Sequence, residues 1–265
     1  MSEKDIKDIL EIRKVLDELA AGLAAENITK QDILITDEQD INHIKNVLRM
    51  RQGEKIALCC EASGKEYICS VEELGEEGIR ARIEDINGQS RELPVRITLF
   101  QGLPKGDKME LIIQKAVELG AAEIVPVAMK RSVVKLDAKK AAKKVQRWNE
   151  IAKSAAKQAK RTLIPEVKPV MSWREAVEYG KSLEMLLLPY EDAEGIGHSR
   201  EVLASVKGRQ SLGIYIGPEG GFQEEEVAQA EEAGAQTITL GHRILRTETA
   251  GMAVLSILMF MLEED

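Results

Sequence analysis

Two stretches near the C-terminus hold residues whose types and spacing could do chemistry. Gly217-Pro218-Glu219-Gly220-Gly221 follows an apolar run and precedes a helical stretch that opens with Glu224-Glu225-Glu226. Glycines at this density let a backbone approach a ligand closely and adopt positive φ. The plain alternative is a strand-to-helix turn. Glycine-rich loops before helices usually suggest phosphate, yet neither G-x-x-x-x-G-K-[ST] nor G-x-G-x-x-G is present. The glutamates complement the helix dipole and would repel a phosphate placed there, so a neutral or cationic ligand fits better. The second stretch, Leu240-Gly241-His242-Arg243-Ile244-Leu245-Arg246-Thr247-Glu248-Thr249-Ala250-Gly251, sets two arginines and a capping threonine between a strand and an apolar helix. Arg243 and Arg246 either act on a substrate or pair with Glu219 and Glu248 as a structural network. His242 is either a general base or a solvent-facing side chain.

The elements that must position these residues alternate between strand and helix. Strands are predicted at Val95–Phe100, Glu123–Val127, Met185–Leu188, Leu212–Ile216 and Thr237–Leu240. Helices are predicted at Lys108–Leu119, Ala138–Lys160, Trp173–Gly180, Glu224–Ala233 and Thr247–Leu262. This is the rhythm of an α/β parallel sheet with helices on both faces. Ligands of such sheets sit at the carboxyl ends of strands, so the residues just after Phe100, Leu188, Ile216 and Leu240 matter most. The first ninety residues read differently. An amphipathic helix is expected over Ser2–Ala25, with Ile9, Ile12, Leu16, Leu19 and Leu23 on one face, then a strand at Asp32–Thr36 and a helix at Asp37–Met50. Short strands at Lys55–Cys60, Lys65–Val71 and Ile79–Ile86, separated by glycine turns, suggest a small β-barrel or sheet. With Asn87-Gly88-Gln89-Ser90 as linker, the domains are expected as 1–27 (helical segment), 28–89 (barrel) and 90–265 (parallel sheet).

Cys59, Cys60 and Cys69 are odd in number and lack C-x-x-C spacing, which suits neither a disulfide framework nor a zinc site; they read as reduced strand residues. The charged N-terminus has no apolar signal core, and the Ala250–Leu262 stretch is shorter than the roughly 20 residues of a membrane span. A cytoplasmic protein without a membrane segment is expected. A net charge of -8 argues against a generic nucleic-acid binder, but the average hides an asymmetry. Lys130–Arg161 holds twelve Lys or Arg against Asp137 and Glu150, whereas Glu219–Asp265 holds ten acids against Arg243 and Arg246. One face should be basic, as either a solvated surface or an RNA-binding one.

Four motifs in order resemble the RsmE-type 16S ribosomal RNA uridine-N3 methyltransferases of the SPOUT superfamily. They are Gly102-Leu103-Pro104-Lys105-Gly106-Asp107-Lys108-Met109-Glu110, Gln114–Gly120, Gly217–Gly221 and Leu240–Ala250. His43–Arg49 with Gly53-Glu54 is similar to the same family's N-terminal PUA-like RNA-binding barrel. The chain departs from the family in its helical, acid-containing first 27 residues, in Asn42-His43 for the frequent His-His pair, and in Gly241-His242-Arg243 for the usual Gly-Pro-Arg. The resemblance implies a trefoil-knotted sheet and a homodimer with the cofactor pocket at the subunit contact. S-adenosylmethionine, which carries a sulfonium and no phosphate, would be the cofactor. It would be lined by Leu188, Tyr190, Gly217, Pro218, Gly220, Gly221, Leu240, Gly241, Ile244 and Leu245.

The implied chemistry is in-line attack of uridine N3 on the sulfonium methyl, with most of the catalysis coming from near-attack geometry. Arg246, then Arg243, would stabilise the charge left on the base, and Glu219 or Glu248 would accept the proton or hold an arginine. Arg49, Lys105, Lys130 and Arg131, with the lysine-rich helix, would meet the phosphates of 16S ribosomal RNA or the small ribosomal subunit. Two rivals remain open: a non-catalytic RNA-binding or ribosome-assembly protein of the same fold, and a nucleotide-binding α/β enzyme, which the missing phosphate motifs disfavour.

Overall fold

The computed structural model describes residues 6–10, 32–60, 65–75, 78–87 and 91–263. The chain forms two compact units, Met1–Glu92 with Lys160–Leu163, and Leu93–Ala159 with Ile164–Asp265. Among the described residues no helix is long and apolar enough to cross a membrane.

In the first unit, strands β1 (Ile6–Leu10), β2 (Asp32–Ile35), β3 (Lys55–Cys60), β4 (Lys65–Leu74) and β5 (Ile79–Asn87) form a sheet in the order β1-β3-β4-β5-β2. All its pairings are antiparallel except β1 with β3. Burial follows the strand period of two: Ile33 and Ile35 point into the core while Leu34 faces out. Ile44, Ile56, Leu58, Val71 and Ile79 complete that core. Cys69 is a buried free thiol, pushed up to about 12 by burial and then by Glu84.

Two expectations are corrected by the fold. Ile6–Leu10 is a strand and not the first turns of a helix; the rest of the helix expected over Ser2–Ala25 lies outside the described residues. Pairing with the outer edge of β3 satisfies backbone groups that a helical segment would leave open, and this tertiary gain outweighs local periodicity. The helix expected over Asp37–Met50 is shorter and divided, with α1 (Glu38–Asn42) passing into a π-helical turn at His43–Val47.

The second unit carries a parallel sheet of β6 (Arg96–Gly102), β7 (Glu123–Ala128), β8 (Glu166–Val167), β9 (Met171–Ser172), β10 (Met185–Pro189), β11 (Ser211–Ile216) and β12 (Ala235–Ile238). The strands lie in the order β12-β10-β11-β6-β7-β8, with β9 also on β7. Its helices are α2 (Lys108–Glu118), α3 (Ala138–Gln158), α4 (Trp173–Gly180), α5 (Ile196–Ala204), α6 (Glu224–Glu232) and α7 (Thr247–Leu262). The two-residue β8 and β9 have too few periodic positions to be seen in the sequence, and α5 adds to the helices expected. Both sheet faces are buried, which is why the strands read as continuous apolar runs. Leu99, Leu187 and Ile214 pack with Ile113 of α2, Trp148 of α3 and Val254 of α7. On the opposite face, Phe100, Leu186 and Tyr215 pack with Trp173 and Ala176 of α4 and Val227 of α6.

Local signals begin the helices where expected. Asp137 caps α3 through Lys140 N at 2.8 Å, and Ser172 with Glu175 forms a capping box on α4. A bidentate pair from Arg147 to Glu110, at 2.6 and 2.8 Å, joins α3 to α2. Gly180 admits the Tyr215 ring, because a Cβ there would lie 2.0 Å from the phenolic oxygen. Gly180→Ala should therefore lower thermal stability by about 1–3 kcal/mol. Calorimetric unfolding at the wild-type temperature would contradict this packing.

Candidate active site

Strand order brings the candidate residues together. β11 lies between β10 and β6, and β10 between β11 and β12, so the loops after Gly102, Pro189, Ile216 and Ile238 are neighbours on one sheet edge. Leu188 is buried at the end of β10, and Tyr190 N donates to Ile238 O at 2.9 Å. Burial, then the acids Asp192, Glu191 and Glu224, raise the Tyr190 phenol above its ordinary value. The loops after β6 and β11 touch: a Cβ on Gly102 would lie 2.6 Å from Pro218 N. Gln101, fully buried at the end of β6, donates through Nε2 to Thr247 Oγ1 at 2.9 Å. Thr247 in turn donates to Gly217 O at 2.6 Å. The threonine expected to cap α7 is thus its first residue, and Arg246 occupies the cap position.

The Gly217–Gly221 loop closes through Gly221 N to Pro218 O at 2.9 Å, with Gly221 at φ +68°. It rests on the segment after β7. A Cβ on Gly220 would lie 2.9 Å from Arg131 Cβ, and Arg131 Nη1 donates to Gly220 O at 3.0 Å. Glu226 is buried with both oxygens bonded, accepting from Gln223 N at 2.8 Å and Lys130 N at 3.1 Å. Lys130 Nζ pairs with Glu225 at 2.7 Å. Of the two cations expected at RNA phosphates, Arg131 holds this loop and Lys130 is answered by two of the three glutamates of α6.

The carboxylates expected to pair with arginines pair with a lysine instead. Glu219 accepts from Lys105 N at 3.1 and 3.3 Å, and its Oε1 lies 3.0 Å from Lys108 Nζ. Lys108 also lies 3.3 Å from Oε2 of Glu248, a buried oxygen with no well-formed hydrogen bond. Burial pushes the Glu219 carboxyl up. Hydrogen bonds from its own backbone amide, Lys108 and Lys105 outweigh that and hold it below the ordinary carboxylate value. The bond to Glu219 is the main reason the Lys108 ammonium is held above its ordinary value, with Glu248 adding to it against desolvation. Sequence reasoning missed Lys108. The available signal was a cation in the first turn of α2, where the helix dipole disfavours one.

Arg243 and Arg246 are exposed and make no ion pair with a described residue. His242 is also exposed, and Ile244 is 90 % exposed on the same turn, where Gly241 adopts φ +112°. Leu240 and Leu245 are half-buried. The Lys105 side chain is exposed, as are Lys135, Lys139, Lys143 and Lys157 on and before α3. Arg161 leaves the expected basic face, because it is buried and paired with Glu92. In the first unit Arg49 is exposed at φ +53°, a backbone region that favours glycine.

Residues 91–259 match the RNA methyltransferase domain family, and residues 35–84 match the RNA methyltransferase PUA domain family. The chain is 39 % identical over 245 residues to ribosomal RNA small subunit methyltransferase E of Bacillus subtilis, covering 89 % of this chain and 95 % of that one. It is 34 % identical over 232 residues to the protein of that name in Mycobacterium bovis, covering 84 % of each. Among solved structures it resembles that of a ribosomal RNA small subunit methyltransferase E from Neisseria gonorrhoeae bound to S-adenosyl methionine. The TM-score is 0.72 at 33 % identity, covering 94 % of this chain and 96 % of that one.

Because the Glu219 carboxyl is depressed in the folded chain, its contribution is present above the unfolded value of about 4.3. It is lost as pH falls through the lower folded value. Glu219→Gln should unfold about 2 °C below wild type at pH 7, and the gap should narrow as pH falls below the ordinary carboxylate range. A gap that widened in acid would refute the Lys108–Glu219 tie.

Proposed function

Since the chain belongs to the RsmE-type RNA methyltransferase family, we propose that it methylates N3 of a uridine in 16S ribosomal RNA, using S-adenosylmethionine. The observation that carries this reading is one sheet edge where a glycine loop, two carboxylates and two unpaired arginines meet. S-adenosylmethionine supplies a methyl group already activated on a sulfonium.

The chain's own residues fit such a ligand. Leu188, Tyr190, Leu240, Ile244 and Leu245 offer apolar surface, and Gly217, Pro218, Gly220, Gly221 and Gly241 offer backbone without bulk. Glu219 and Glu248 favour a cationic ligand and disfavour phosphate. Arg246, and Arg243 beside it, face the charge that spreads over the base carbonyls when N3 gives up its proton. S-adenosylmethionine, held by these residues, would supply the electrophilic methyl group for N3 and a neutral thioether as leaving group. Glu248 is the better proton acceptor, because both Glu219 oxygens already accept hydrogen bonds.

RNA phosphates are met by Arg49, Lys105 and the exposed lysines of α3, with Lys130 and Arg131 at the rim of the glycine loop. The target uridine leaves its stack to reach the edge. The first unit, where Ile6–Leu10 joins the sheet expected over residues 28–89, serves as the PUA-like RNA-binding domain, and the second unit, expected over 90–265, as the knotted catalytic domain. The protein acts as a homodimer in the cytoplasm, where small ribosomal subunits are its substrate. Ile257, Phe260 and Met261 on the outer face of α7 support the dimer, Phe260 being 84 % exposed in the single chain.

Incubation with labelled S-adenosylmethionine and unmodified small subunits should yield one N3-methyluridine by mass spectrometry. Cofactor binding without transfer would favour the assembly protein. Gly220→Val should abolish calorimetric binding of S-adenosylmethionine, since the new side chain meets Arg131; unchanged affinity would remove the loop from the pocket. Arg246→Ala should lower kcat about a hundredfold, and retention of full kcat would withdraw its role.

A further inference from the structure

Lys108 is the cation in contact with both carboxylates of the site, and the residues around it show what it does there. The Gly217–Gly221 loop has other supports: Lys105 N on Glu219, Arg131 on Gly220 O, and Thr247 on Gly217 O. Glu248 is different. Its side chain is 16 % exposed and its Oε2 has the Lys108 ammonium at 3.3 Å without a formed hydrogen bond. Glu248 stands two residues after Arg246 in the first turn of α7, and Glu219 faces it from across the lysine. Without a cation between them, two carboxylates in one partly buried site repel, and the side chain free to move is Glu248.

We propose that Lys108 is a positioning residue, which holds Glu248 in place beside the reacting base by bridging it to the already anchored Glu219. This rests on the methyltransferase reading and adds to it a residue that touches neither the cofactor loop backbone nor the base. Its action falls on turnover more than on binding, because the loop that grips the methyl donor keeps its other three supports.

The test compares Lys108→Met, Lys108→Gln and Lys108→Arg with wild type in the full-length protein, using S-adenosylmethionine and unmodified small subunits. Lys108→Met and Lys108→Gln should lower kcat about tenfold, with the KM and calorimetric Kd for S-adenosylmethionine within about threefold of wild type. Lys108→Arg, whose guanidinium can bridge two carboxylates, should recover most of the lost kcat. If Lys108 acts through Glu248, adding Glu248→Gln to Lys108→Met should cost far less than Glu248→Gln does in wild type. Full kcat in both neutral variants, strictly additive losses, or an equal fall in affinity and turnover would each overturn the assignment. A wild type that transfers no methyl group would overturn the functional reading, and the role of Lys108 with it; an active wild type confines any failure to Lys108.

Discussion

One hydroxyl joins the parts of the candidate site. Thr247 Oγ1 donates to Gly217 O and accepts from the buried Gln101, so the end of β6, the loop after β11 and the first residue of α7 are fixed to one another. Gln101 is still in register with Ile216 of β11 and Pro126 of β7, whereas Gly217 and Thr247 lie outside the strands, so the hydroxyl ties a loop and a helix start to the sheet itself. Gly102 makes the arrangement possible, because any side chain there would collide with Pro218. The glycine loop, the arginine turn and the lysine between the carboxylates are positioned relative to this junction.

Much of this was legible in the sequence because period and punctuation are local properties. Alternating strand and helix patterns placed β6, β7, β10, β11, α2, α4, α6 and α7 close to their observed positions, and the glycines marked the loop after β11. Partnership across the sheet was not legible. Nothing in the order of residues says that β11 inserts between β10 and β6, and that insertion makes neighbours of Gly102 and Pro218. For the same reason the sequence offered arginines as partners for Glu219 and Glu248, since Arg243 and Arg246 are the basic residues of the turn that holds Glu248. Lys108 is the partner in space. The strand at Ile6–Leu10 was hidden likewise, its pairing with β3 being decided by an open sheet edge and not by its own pattern.

Charge is used in two ways on the second unit. Lys130, Arg131, Arg147 and Lys108 are engaged by Glu225, Gly220 O, Glu110, Glu219 and Glu248, and so serve the architecture. Arg243 and Arg246 and the exposed Lys139, Lys143 and Lys157 of α3 have no such engagement among the described residues, and they are cations that can meet a polyanion without first breaking an internal contact. A count of basic residues merges these two populations; the geometry separates them.

Arg49 shows the same division from the side of the backbone. A non-glycine residue at φ +53° carries a penalty of about 1 kcal/mol, which glycine would remove. Substitution by glycine at that position would therefore make a firmer fold and a poorer ligand for phosphate. Engineering this chain for heat tolerance by relieving backbone strain would select against the exposed guanidinium that its PUA domain carries.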